Sequence, residues 1–249
     1  MIRIAICGCC GKMGRFIHDV ISERNDCETV CGIDKITTPY ADFPIFEKAS
    51  EIPQKPDVII DFSHPSTLDD LLDYCLTNGT PIVIATTGYN DEQIEKINKA
   101  SEQIPVFFTF NMSLGINLLT ELAKKATQIL GGQFDIEIIE KHHNQKIDAP
   151  SGTAIMLANA INEELDNSYN YVYDRHSVRQ KRGKNEIGMH AIRGGTIVGE
   201  HEIIFAGRDE VISLKHEAHS KQVFAVGSVN AAVFMSGKPA GLYAMKDLL

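Results

Sequence analysis

The sequence predicts an α/β fold: a Rossmann-type doubly wound parallel sheet, joined to a second α+β domain built on a mixed sheet. Three observations carry this expectation. Near-continuous apolar strands alternate with amphipathic helices as far as residue 108, the pattern of a parallel sheet covered on both faces. The first strand runs into a glycine loop that opens a helix. After about Asn111 the strands change to period-two alternation, as in a sheet with one covered face.

Each element has its own warrant. Ile2-Arg3-Ile4-Ala5-Ile6-Cys7 is a short apolar run ending at Gly8, hence a buried strand. Residues 12–24 put Met13, Phe16, Ile17, Val20 and Ile21 on one face, which is helical spacing. Further strands are read at 29–34, 57–62, 81–86 and 105–108, with helices at 65–77 and 91–101. Right-handed crossovers turn that order into the doubly wound arrangement. A long helix over 114–130 stops at Gly131-Gly132. Residues 134–140 alternate, giving one apolar and one acidic face. A helix is read at 153–165, followed by a polar, aperiodic surface excursion over 166–184. Segments 197–205 and 210–217 flank Gly207-Arg208-Asp209 as a hairpin, and 221–235 forms a helix ending near Gly237. The expected division is a first domain at 1–112 completed by 222–249, and a second at 113–221.

The formal net charge of −9 over 249 residues argues against nucleic-acid or membrane-surface binding, which needs a basic face. No apolar run is long enough to span a membrane, and the N-terminus does not resemble a signal peptide. All six cysteines fall in the first third, at 7, 9, 10, 27, 31 and 75, in no zinc-binding spacing. Free thiols point to a reducing, cytoplasmic setting, with Cys7 and Cys31 as small apolar filler. No metal is expected.

A strand, then Gly8-x-x-Gly11-x-x-Gly14, then a helix is the context a dinucleotide fingerprint requires. Glycines permit the tight turn and close approach of a pyrophosphate, and the helix N-terminus offers free amides. Asp34 ends the second strand, where an acidic residue holds the adenosine ribose hydroxyls. Cys10 stands where the usual fingerprint has its second glycine. Asp34 favours NAD, yet Lys35 and Lys12 can pair with a 2′-phosphate, so NADH and NADPH both stay open. Ala85-Thr86-Thr87-Gly88 and Thr109-Phe110-Asn111-Met112 end strands on the same carboxyl edge. They can hold the nicotinamide ribose and carboxamide, or simply cap turns. The cofactor-binding candidates are thus Gly8, Cys9, Cys10, Gly11, Lys12, Met13, Asp34, Ala85, Thr86, Thr87, Thr109, Phe110, Asn111 and Met112.

Residues 140–154 form the densest polar stretch, leaving a strand and entering a helix. Ser151 or Thr153 can cap that helix, and Gly152 and Thr153 expose amides suited to a carboxylate. Lys146 and His143 add positive charge or donors. An imidazole such as His142 has a reference pKa near neutrality, which suits a proton donor. Zinc on His142 and His143 is awkward, because neighbours on a strand point to opposite faces. Two histidines, a lysine and an anion site together favour a substrate pocket over a solvated loop or an incidental cap.

These blocks resemble the dihydrodipicolinate reductase (4-hydroxy-tetrahydrodipicolinate reductase) family. The resemblance runs through the Gly-x-x-Gly-x-Met-Gly loop, with Lys12 in place of the usual arginine, and through Asp61-Phe62-Ser63. It continues in Ala85-Thr86-Thr87-Gly88, where Ala85 replaces a glycine, and in residues 111–117. The most specific block is His142-His143-x-x-Lys146-x-Asp148-Ala149-Pro150-Ser151-Gly152-Thr153-Ala154, followed by Arg193-x-Gly195-x-x-x-Gly199-x-His201. The resemblance implies NAD(P)H-dependent reduction of a small cyclic imine dicarboxylate on the way to diaminopimelate and lysine. It implies a dinucleotide-binding first domain and a substrate-binding second domain whose sheet builds a homotetramer. It implies His142 as proton donor or acceptor, Lys146 as a second donor that also contacts substrate, and His143, Gly152 and Thr153 as carboxylate ligands, with Ser151 beside them. Another nicotinamide dehydrogenase, or a non-catalytic redox sensor, would explain the glycine loop but not the His142 to Thr153 segment.

Overall fold

Alternation along the first strand decides how the N-terminal sheet is covered. Ile4 and Ile6 point into one apolar cluster, Ala5 and Cys7 into another, so both faces are buried. The computed structural model describes residues 1–248. They form two compact units: Met1–Leu114 together with the chain from Lys221 onward, and Gly115–Ser220.

The first unit begins β1 (Ile2–Cys7), α1 (Lys12–Ser22), β2 (Cys27–Ile33), β3 (Ile45–Phe46), β4 (Val58–Asp61), α2 (Leu68–Asn78), β5 (Ile82–Ile84), α3 (Asp91–Ser101) and β6 (Pro105–Phe108). The second unit holds α4 (Leu114–Leu130), β7 (Asp135–His142), α5 (Gly152–Glu163), β8 (Asn170–Val172), β9 (Glu186–Arg193), β10 (Gly199–Ala206) and β11 (Val211–Ala218). The chain then returns to the first unit with α6 (Gln222–Met235) and β12 (Gly241–Tyr243).

The first sheet is seven-stranded and parallel throughout, in the order β12-β6-β5-β4-β1-β2-β3. This is the doubly wound order, and strand succession reverses between β1 and β4. One face is covered by α1 and α6, the other by α2 and α3. In α1, Gly14, Ile17 and Ile21 are buried, one turn apart. On α6, Gly227 lets the helix touch the carbonyl of Met112, where a β-carbon would collide. The short strands β3 and β12 leave no signal in the sequence. At two and three residues they are too brief for a periodic signal.

The second sheet is five-stranded and mixed, in the order β11-β10-β7-β9-β8. β7 pairs antiparallel with β10 and parallel with β9. Its core, centred on Ile136, Ile138, Ile187, Ile203 and Phe205, packs against α4 and α5. Two expectations change here. The excursion over 166–184 is not merely solvated: it contains β8, and its Arg175 and Arg182 bind Glu137 on the outer face of β7 at 2.8 and 3.0 Å. The sequence gives no strand signal for β9. Its residues 187–189 are buried in succession and 190–192 exposed in succession, so alternation is lost. Gly188 lies directly under the Glu137 carboxylate. No helix among the described residues is long and apolar enough to cross a membrane.

Candidate active site

In the first unit the loop after β1 turns at Gly8, with φ +78°, a conformation that favours glycine. A β-carbon on Gly8 would strike the Phe62 carbonyl, and one on Gly14 the Gly8 carbonyl. Gly11 caps α1 without any side-chain cap, so the first helical amides point out over the loop. Asp34, just past β2, accepts the Cys10 amide at 3.0 Å and the Ile36 amide at 3.2 Å. Its remaining lone pairs can still take ribose hydroxyls. A cleft of about 760 Å³ covers this corner, lined by Gly8, Cys10, Gly11, Asp34, Lys35 and Ser63 among others. It lies at the carboxyl ends of β1 and β4, where the strand order reverses, and its size suits a cofactor. Its residues therefore fit a dinucleotide.

The other cofactor candidates lie differently. The side chain of Cys9 turns into the core, while Lys12 and Met13 begin α1. The seven residues after β5 and β6 do not line the cleft. Ala85, Thr86 and Met112 are buried, and the Thr86 hydroxyl accepts the Ser63 amide at 2.8 Å. Thr87 and Phe110 are exposed. The Thr109 hydroxyl closes a turn on Asn111 at 3.3 Å, and the Asn111 side chain accepts the Ser113 amide. Beneath the cleft wall Asp61 is fully buried; it accepts the Ser63 hydroxyl at 2.5 Å and the Tyr89 hydroxyl at 3.0 Å. Burial pushes its carboxyl above the usual range.

Gly8→Ala tests how far this loop depends on its backbone. Placing a β-carbon in the left-handed region costs about 1–3 kcal/mol before the clash is added. We expect a denaturation midpoint lowered accordingly and NADH binding weakened at least about tenfold. A fluorescence titration indistinguishable from wild type would refute it.

In the second unit the periodicity of β7 does more than the sequence suggested. Ile136, Ile138, Glu140 and His142 all face inward, so the last carboxylate lies on the apolar face, not on the acidic one. Glu140 is 1% exposed. Both its oxygens receive the Arg193 guanidinium fork, each at 2.7 Å. It also accepts the Ser151 amide at 2.9 Å and contacts His142 Nδ1 at 2.6 Å. Burial alone would raise its carboxyl; Arg193, His142 and the Ser151 amide outweigh it and hold the group below the usual range. For His142, burial pulls the imidazole below its ordinary 6.5, against the pull of Glu140, and the charges of Lys146 and Arg193 push the same way as burial. His142 is thus neutral at pH 7. With a carboxylate as partner, Nδ1 carries the hydrogen and donates it, leaving Nε2 to exchange protons. Gly199 gives that nitrogen room, since a β-carbon there would sit 3.1 Å away.

The loop after β7 brings Lys146 to Asp148 at 2.8 Å, and Arg193 grips the Asp148 carbonyl at 2.6 Å. His143 is half-buried, and Gly152 and Thr153 open α5. Ser151, expected to touch substrate, is 2% exposed and serves as scaffold. Its hydroxyl accepts the Ala154 amide at 3.2 Å as helix cap and lies 3.0 Å from His201 Nε2. Sequence reasoning thus missed the central residue, Glu140, because it attends to His142 and Ser151 only through the fold.

Burial and the nearby His142 push His201 down to about 4. Its folded-state value lies below the unfolded one, so the unfolded chain binds more protons between pH 6.5 and about 4. The contribution is complete above pH 6.5 and is lost as pH falls, on the order of 3 kcal/mol at pH 4. Lowered values at His142 and His216 add to the trend. Stability measured by denaturant at pH 7 and pH 5 should fall with acidity, and His201→Gln should flatten the slope. An unchanged slope would contradict the assignment.

A glycine loop with an acidic residue after the second strand of a doubly wound sheet, and in the second unit a carboxylate-held histidine, a lysine and a helix N-terminus, define a nicotinamide-dependent oxidoreductase. The comparisons narrow this. The chain belongs to the dihydrodipicolinate reductase family: residues 2–112 match "Dihydrodipicolinate reductase, N-terminus" and residues 115–249 "Dihydrodipicolinate reductase, C-terminus". It is 49% identical over 249 residues to the 4-hydroxy-tetrahydrodipicolinate reductase of Clostridium tetani, covering 100% of this chain and 97% of that one. The enzyme of that name from Caldanaerobacter subterraneus is also 49% identical over 249 residues, covering 100% and 98%. Among solved structures, the dipicolinate-bound dihydrodipicolinate reductase of Paenisporosarcina sp. TG-14 superimposes with a TM-score of 0.84 at 28% identity, over 100% of both chains. A myo-inositol dehydrogenase from Corynebacterium glutamicum, at 16% identity, 94% and 87% coverage and a TM-score of 0.58, shares the fold alone.

Proposed function

We propose that this protein reduces 4-hydroxy-tetrahydrodipicolinate to tetrahydrodipicolinate, on the route to diaminopimelate and lysine, with NADH or NADPH as reductant. The observation that carries the reading is the constellation built on β7 and α5: His142 held by the Arg193-clamped Glu140, with Lys146 and the α5 N-terminus in the same segment. The relative that holds dipicolinate supports a small dicarboxylate as ligand.

In this reading the glycine loop and Asp34 hold the dinucleotide, which supplies hydride when bound. The segments 85–87 and 109–112 frame its nicotinamide end. Gly152 and Thr153 hold one substrate carboxylate at the helix N-terminus, with His143 and Lys146 as charged or polar partners. Lys146, paired with Asp148 at 2.8 Å, is the proton donor. His142, with Nδ1 held by Glu140 at 2.6 Å, takes up a proton from solvent at its free Nε2 and passes it on. Together they protonate the ring atom next to the one reduced. The unit made of 1–112 and 222–249 serves as the dinucleotide domain, and 113–221 as the substrate and oligomerisation domain. We further propose a cytoplasmic homotetramer assembled through the second sheet. Its edge strand β11 exposes Val211 and Ile212, an apolar edge of the kind that assembly covers.

The test is direct. Purified protein, NADH and enzymatically generated substrate should show loss of nicotinamide absorbance; no oxidation with either NADH or NADPH would overturn the reading. Comparing the two Michaelis constants then settles the preference that Asp34 and Lys35 leave open.

A further inference from the structure

The sequence spacing of the cysteines shows no metal pattern, yet the fold gathers three soft and hard donors at one corner. The sulfurs of Cys9 and Cys10 are 4.0 Å apart, and the Asp34 carboxylate lies with both of them inside 4.8 Å. We propose that Cys9, Cys10 and Asp34 bind a thiophilic divalent cation of the zinc and cadmium class, in place of the adenosine end of the dinucleotide.

Four features argue for this. First, two sulfurs each about 2.3 Å from a tetrahedral zinc stand roughly 3.8 Å apart, so the observed separation needs almost no adjustment. Second, the thiols are held where they are. Cys9 sits against Gly32 of β2, where a β-carbon would collide with its sulfur, and the Cys10 thiol is anchored to the Ile36 carbonyl at 3.2 Å. Third, Asp34 is fixed by the Cys10 and Ile36 amides at 3.0 and 3.2 Å, so the carboxylate is oriented by the same turn that carries the sulfurs. Fourth, Cys10, Asp34 and Ile36 all line the open cleft, which gives a cation a way in to two of the donors, and the buried Cys9 sulfur completes the set from the core side, 4.0 Å from that of Cys10. The mixed set of two sulfurs and one oxygen suits a borderline-soft ion and leaves a fourth position for water. On binding, both thiols give up their protons to solvent and the cation takes their place.

The competition with cofactor rests on the reading of this loop as the dinucleotide site, because Asp34 cannot ligate a cation and hold a ribose at once. The cation site itself does not rest on that reading.

Cadmium added to the reduced full-length protein should produce an ultraviolet thiolate-to-cadmium band saturating at one equivalent per chain. Cys10→Ser and Asp34→Asn, both at the cleft surface, should each weaken binding at least about tenfold, with far-ultraviolet circular dichroism showing that they fold. Absence of the band, or undiminished affinity in both variants, overturns the proposal. NADH binding is measured first, by nicotinamide fluorescence in chelator-treated protein. Saturating NADH should then raise the apparent cadmium dissociation constant at least tenfold. If NADH binds but leaves cadmium affinity unchanged, the shared site is overturned while the cofactor reading stands. If NADH does not bind the metal-free protein, the cofactor reading fails, and the two variants still decide the cation site.

Discussion

Lys146→Ala lowers kcat/KM by about 10³-fold or more, through both constants. The lysine is paired with Asp148 at 2.8 Å and its side chain is only 22% exposed, so its amino group is held in place before substrate arrives. Loss of a proton donor costs about 10²–10⁴ in turnover. Loss of a charge-assisted contact to a carboxylate adds roughly 1.5–3 kcal/mol in binding. His142→Gln behaves differently. Glutamine can keep a hydrogen bond to Glu140 but cannot exchange a proton, so kcat falls by the same 10²–10⁴ while KM stays near wild type. Steady-state kinetics with both substrates varied separate the two patterns. Wild-type rates in both variants would refute the assignment, and equal losses in KM for both would reassign His142 to binding.

That contrast depends on a feature the sequence showed only in part. The doubly wound order was legible because β1, β4, β5 and β6 are each followed by a helix with its own period. The adjacent histidines and the capped helix were legible because they are consecutive. Glu140 was not. It comes two residues before His142 and reads as one more polar residue of an alternating strand. Its burial is decided by parity along β7, and its tolerance there by Arg193, which β9 delivers from 53 residues away. No local pattern announces such a partner, and β9 itself lost its alternation to Gly188 and to the outer-face ion pairs. The cysteines show the same gap between spacing and space. Residues 9 and 10 are adjacent, but Asp34 joins them only because β2 pairs beside β1.

Arg193→Ala puts a number on the partnership. It leaves the Glu140 carboxylate almost wholly buried, with only the Ser151 amide and His142 as donors. Removing one member of a buried pair costs about 3–5 kcal/mol, mostly as uncompensated charge. The denaturation midpoint should fall to match. Replacing both partners by apolar residues, as in Arg193→Met with Glu140→Leu, should recover most of that loss, because a buried ion pair adds little net stability over a well-packed hydrophobic one. Turnover should not recover with it. With no carboxylate on Nδ1, the histidine ring has lost the partner that sets its tautomer, and the Asp148 carbonyl has lost the guanidinium that fixes the Lys146 loop. A double variant that regains both stability and turnover would show the pair to be structural only. One that regains stability alone places Glu140 and Arg193 as the positioning residues of the proton relay.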